Sequence, residues 1–128
     1  MANSKFNQAA NPSVDCDPAI VAGDWLYMDG SAVAQKAQAD GLVKSGVIGV
    51  CVEKVSASVA KIATPGQIAD VFSGLDETKD YFLSAATPGG MVTNTSLPTT
   101  AGHVILNLGR PVSPTAFLVE LGPRIVLS

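Results

Sequence analysis

The stretch Phe72–Asn94, FSGLDETKDYFLSAATPGGMVTN, decides the fold class. A charged loop, Leu75–Asp80, gives way to the strand-formers Tyr81-Phe82-Leu83, and a second apolar run begins at Met91. Between them stands Pro88-Gly89-Gly90. Glycine adopts positive φ without a Cβ clash, so this tripeptide reads as turn chemistry. Strand, tight turn and strand together predict an antiparallel hairpin. The segment carries no nucleophile or metal-ligand spacing.

The same grammar extends in both directions. Toward the N-terminus lie QIADVF, SASVAKIAT, GVIGVCVEKV, GDWLYM and PAIV; toward the C-terminus lie HVILNLG, TAFLVELG and RIVLS. Turn signals recur about every 8 to 12 residues, the spacing of a sandwich or small barrel. GVIGVCVEKV is nearly continuous in apolar residues and suits a strand buried on both faces. SAVAQKAQADGLV favours helix by its alanines, but Gly41 and the missing apolar stripe weigh toward irregular strand and loop. The expected class is all-β: a compact antiparallel β-barrel or sandwich with an extended N-terminal arm. With 128 residues the chain is long enough for one buried core. Residues 1–17 are polar and aperiodic and read as the arm, and residues 18–128 form the β-domain.

Two halves of that domain echo each other. Val47–Ile62 overlays Val104–Val119 without a gap, with Val47, Ile48, Val55 and Ser56 identical to Val104, Ile105, Val112 and Ser113. Upstream, Asp24-Trp25-Leu26 parallels Asp80-Tyr81-Phe82. This pattern marks two similar hairpin units, about 23–66 and 79–123; shared hairpin composition alone is the competing explanation.

Several function classes are disfavoured. The formal charge is −3 and the Lys and Arg residues are scattered, which argues against nucleic acid as a partner. No run approaches the roughly 18 apolar residues of a membrane span. The start, MANSKFNQAANPSVDCDP, lacks the apolar core of a signal peptide, so synthesis in a cytoplasm is expected. One histidine, His103, and two distant cysteines, Cys16 and Cys51, cannot make a four-ligand zinc site. The cysteines read as small buried thiols. Asp76, Glu77 and Asp80 lie in a solvated turn without the order of a calcium loop. No catalytic residue, metal, cofactor or small-molecule substrate is expected. Trp25 and Tyr27 lie two apart on one strand face, where core burial competes with stacking on a sugar. That leaves a carbohydrate-binding module as the lesser alternative.

FSGLDETKDYFLSAATPGGMVT followed by PTTAGHVILNLGRPVSPTAFLVELG resembles a pattern common in structural proteins of tailed bacteriophages. GDWLYMDGSAVAQKAQADGLVKSGVIGVCVEKV is similar to small capsid decoration (cement) proteins, and the likeness spans most of Pro18–Leu121. The resemblance implies a non-enzymatic virion protein on the capsid surface. Its implied partners are the major capsid protein and copies of itself as a homotrimer, with the arm adding a strand to the shell. A tail-fibre or baseplate component is the alternative. The expected assembly residues are Phe6, Pro12 and Val14 of the arm, Trp25, and the closing Arg124, Ile125, Val126 and Leu127.

Overall fold

The computed structural model describes residues 11–128 and contains no helix among them. Twelve strands follow in chain order: β1 (Ser13–Asp15), β2 (Trp25–Met28), β3 (Ala34–Lys36), β4 (Val47–Ser56), β5 (Val59–Ala63), β6 (Ile68–Ala69), β7 (Tyr81–Leu83), β8 (Met91–Thr93), β9 (Val104–Ile105), β10 (Asn107–Pro111), β11 (Phe117–Val119) and β12 (Ile125–Val126). They form one five-stranded sheet, β1-β5-β4-β2-β3, a second, β6-β11-β10-β7-β8, and a two-stranded sheet, β12-β9. All strand pairs are antiparallel. The architecture is sandwich-like; among the described residues no continuous ladder closes a barrel.

The opening hairpin takes its expected form, with Tyr81, Phe82 and Leu83 opposite Thr93, Val92 and Met91. Its turn is tied by Ser84, whose Oγ accepts from the N–H groups of Ala86 and Thr87. The alanine-rich segment supplies β3 and a loop, because Ala34, Ala37 and Ala39 are all drawn into packed core. PAIV forms no strand. It lies in the β1–β2 connection, where Ile20 is buried.

The two large sheets have the same strand order when β9 and β10 are counted as one interrupted strand. The gapless overlay carries Glu53↔Lys61 to Arg110↔Leu118 and Lys54↔Ala60 to Pro111↔Phe117, and both are observed pairs. The first sheet also uses Ser13–Asp15, which lie outside the unit read at 23–66. Residues 13–15 are thus an edge strand of the chain's own sheet, with Val14 opposite Ala60. Just beyond them, Cys16 bridges in parallel to Ala34 and so links the two opposite edges of that sheet. Backbone pairing with β5 thus holds this end of the segment read as the arm, residues 1–17, against the domain.

Alternation sorts the side chains into two cores. Trp25, Val50, Val52 and Ala63 of the first sheet meet Tyr81, Leu83, Leu108, Phe117 and Val119 of the second. Their sequence neighbours Leu26, Cys51 and Ile62 point the other way and are covered by Cys16 and Ile20. That cover explains the continuous apolar run in β4. Both faces of its central residues are dry.

Phe117 is the hub of the inter-sheet core. Its ring centroid lies 5.5 Å from Trp25 and 5.8 Å from both Phe72 and Tyr81. The Trp25 and Tyr81 contacts are edge-to-face, an arrangement worth about 0.5–1.5 kcal/mol per pair beyond area burial.

Candidate functional site

The expected assembly residues divide into three groups. Phe6 lies outside the described residues. Pro12 and Val14 sit at the start of the first sheet, where Ile62 N–H donates to the Pro12 carbonyl at 2.9 Å and Val14 packs, half-buried, on the outer-face core. Trp25 must be withdrawn from the interface. It is fully buried between the sheets, its exposure 0%, because alternation in β2 turns it toward Phe117. Its indole N–H finds no acceptor in the structure. The proposed Trp25–Tyr27 stacking pair is lost with it.

Arg124, Ile125, Val126 and Leu127 do come together on the surface. Ile125 stands opposite Ile105, and Val126 opposite Val104. Leu127 N–H donates to the His103 carbonyl at 2.9 Å, and Gly102 N–H donates to the Leu127 carbonyl at 2.8 Å. These bonds seat the C-terminal segment on β9 by backbone alone. Ile125 and Val126 are left 55% and 47% exposed. β12 has a neighbour on one side only, so its other edge is open among the described residues.

The sequence reading missed the other half of this surface. The Arg124 guanidinium Nη1 donates to the Leu42 carbonyl at 2.6 Å, which brings the loop before β4 against the C-terminal segment. That loop is closed by Ser45 Oγ, which also donates to the Leu42 carbonyl. Its two apolar side chains, Leu42 and Val43, are 53% and 78% exposed. A cleft of about 260 Å³ runs between Gly46 and Arg124, floored by Leu106 and Leu121. A clue was present in the sequence: in Gly41-Leu42-Val43-Lys44-Ser45-Gly46, two branched apolar residues sit inside turn formers, where no core position is available.

The titratable groups are held structurally. Burial pushes the Cys51 thiol up to about 11. The Val33 N–H, the Gln35 amide and the Ser31 N–H hold the Asp29 carboxyl below its ordinary range. The Thr78 hydroxyl and N–H do the same for Asp76. Cys16 and Cys51 are both buried free thiols. His103 enters the site only through its backbone. Among the described residues, no three His, Cys, Asp or Glu side chains are grouped to hold a metal.

No family model, no curated protein and no solved structure matches this chain.

Proposed function

We propose that this chain is a virion structural protein of a tailed bacteriophage, a decoration protein that binds the assembled head and bridges its capsid subunits. The observation that carries the reading is β12 itself, whose outer edge is open among the described residues and whose Ile125 and Val126 are exposed, together with the exposed Leu42 and Val43 of the loop that Arg124 reaches. Exposed apolar side chains on and near an unpaired strand edge suit docking onto a protein surface. Edge pairing supplies backbone hydrogen bonds, and the flanking side chains supply apolar contact. The resemblance of Pro18–Leu121 to phage structural proteins supports the nature of the partners: the major capsid protein and further copies of the chain as a trimer.

The mechanism is linkage. A protein that binds the assembled shell and not its separated parts stabilises the shell by RT ln(1 + [L]/Kd) per independent site. Adding the purified chain to expanded heads that lack it raises their melting temperature, and Ile125→Asp together with Val43→Asp abolishes the rise. No shift at saturating protein would sink the reading. Imaging of intact particles separates head from tail: density over the capsid faces supports decoration, whereas density confined to the tail replaces it with a tail role.

A further inference from the structure

A second surface, distinct from that around β12, lies at the outer edge of β3. Asp29 N–H donates to the Val33 carbonyl at 3.0 Å, and Ala37 N–H donates to the Trp25 carbonyl at 2.7 Å. Those bonds set the phase of the ladder: residues 33, 35 and 37 turn their backbone groups toward β2. Residues 34, 36 and 38 therefore turn theirs outward. The Ala34 carbonyl accepts from Asp17 N–H at 3.0 Å, and Gln38 N–H donates to the Lys44 carbonyl at 3.1 Å. Lys36 lies between these closures, its N–H and C=O directed away from β2. A cleft of about 260 Å³ opens at this position, lined by Tyr27, Gln35, Lys36, Gln38, Lys44 and Asp17.

Ala19 and Pro88 complete the lining, and its polar side chains are mostly held in place. Gln35 donates through Nε2 to Asp29 Oδ2 at 3.0 Å, and Gln38 through Nε2 to the Ala85 carbonyl at 2.8 Å. Each amide thus keeps Oε1 as an acceptor. Asp17 Oδ1 accepts from Ala19 N–H at 2.9 Å, which leaves its second oxygen. Lys36 is engaged by Asp24 at 3.8 Å, whereas Lys44 is exposed and in no ion pair among the described residues. Tyr27 of β2 packs partly on the inter-sheet core and also lines the cleft.

The geometry points to a binding site for one hexose-sized saccharide unit bearing a carboxylate. Fixed acceptors, an outward backbone donor and acceptor, and the apolar lining from Tyr27, Ala19 and Pro88 match the alternating hydroxyls and the C–H face of a sugar ring. The ring's carboxylate meets the Lys44 ammonium. An extended peptide is disfavoured, because Asp17–Ala34 and Gln38–Lys44 close the edge on both sides of Lys36 and leave room for a single residue. The site requires neither Trp25 nor the capsid reading, and its failure would leave that reading untouched.

The test is a titration of the full ¹⁵N-labelled chain with glucuronate, followed by amide shifts. A compact ligand of this size predicts a dissociation constant of about 1 mM, with saturable shifts at Lys36, Gln38 and Tyr27. Glucose in the same titration binds at least about threefold more weakly, since it lacks the group that Lys44 engages. Lys44→Met raises the glucuronate constant by at least about threefold and leaves that of glucose unchanged. Lys44 is exposed, so this variant keeps the dispersed spectrum of the parent. Gln38→Leu weakens both sugars. The proposal is overturned by non-saturable shifts, by saturable shifts centred away from β3, by equal affinity for the two sugars, or by trialanine binding the cleft as tightly as glucuronate.

Discussion

Truncating Phe117 to alanine tests the sandwich where the two sheets meet. The ring is fully buried and contacts Trp25, Phe72 and Tyr81 at centroid distances of 5.5 to 5.8 Å. Removing a buried phenylalanine side chain typically costs about 3–5 kcal/mol, the spread reflecting how far the site collapses. Collapse is restricted here, because the cavity would be walled by two backbone ladders as well as by rings. We therefore expect the upper half of that range, about 4–5 kcal/mol. A domain of this size holds about 5–15 kcal/mol in total, so the variant folds marginally or not at all at elevated temperature.

Trp25 is the only tryptophan and packs edge-to-face on the same ring, so its fluorescence in a urea titration reports the site directly. A milder cycle combines Phe117→Leu with Tyr81→Leu. The coupling between the two should be about 0.5–1.5 kcal/mol if the edge-to-face contact contributes beyond burial. A loss below about 1 kcal/mol for Phe117→Ala, with an unchanged denaturant slope, would refute an inter-sheet core centred on this residue.

Four other perturbations have definite expectations. Gly109 has φ +132°, and a Cβ there would run into the Leu118 carbonyl, so Gly109→Ala should cost more than about 2 kcal/mol by chemical denaturation. Gly30→Ala, with open space around it, should stay within about 0.5 kcal/mol. The Cys51 thiol is raised from 9.0 to about 11 on folding, so its contribution is complete below pH 9 and is lost as pH rises from 9 to 11. Cys51→Ala should flatten that alkaline decline in melting temperature, and the wild-type thiol should resist a disulfide reagent until the chain unfolds. The Asp29 carboxyl is lowered on folding, so its contribution stands above the ordinary carboxylate pKa of 3.8 and fades as pH falls through the lower folded value. Asp29→Ala should shallow the acid limb of the stability profile, and an unchanged limb would remove that loop from the account.

The fold class was written locally and was therefore legible. Pro88-Gly89-Gly90 between Tyr81–Leu83 and Met91–Thr93 specifies its own hairpin, and the apolar run of β4 announced burial on both faces. The likeness of the two halves could be read from Val47–Ile62 against Val104–Val119, since side-chain phase and ladder register travel together. What escaped depended on distant parts of the chain. Nothing near Ser13–Asp15 signals that Lys61, Ala60 and Val59 wait as partners, and so the segment read as a free arm. Trp25 could have faced either side of β2, and only the position of Phe117 decided it. Arg124 reaches Leu42 through a single backbone carbonyl, a contact across most of the chain that no local pattern encodes.

The first large sheet is drawn from one unbroken stretch of chain, β1 to β5, and the second from β6 to β11, where only β9 leaves it to pair with β12. During synthesis, the first can complete its ladder and seal its outer side with Cys16 and Ile20 before the second has left the ribosome. What it cannot do alone is cover Trp25, Val50 and Val52, whose partners are translated later. The half-made polypeptide is thus hydrogen-bonded but sticky on one side, and the interval until Phe117 emerges is when it is most exposed to aggregation.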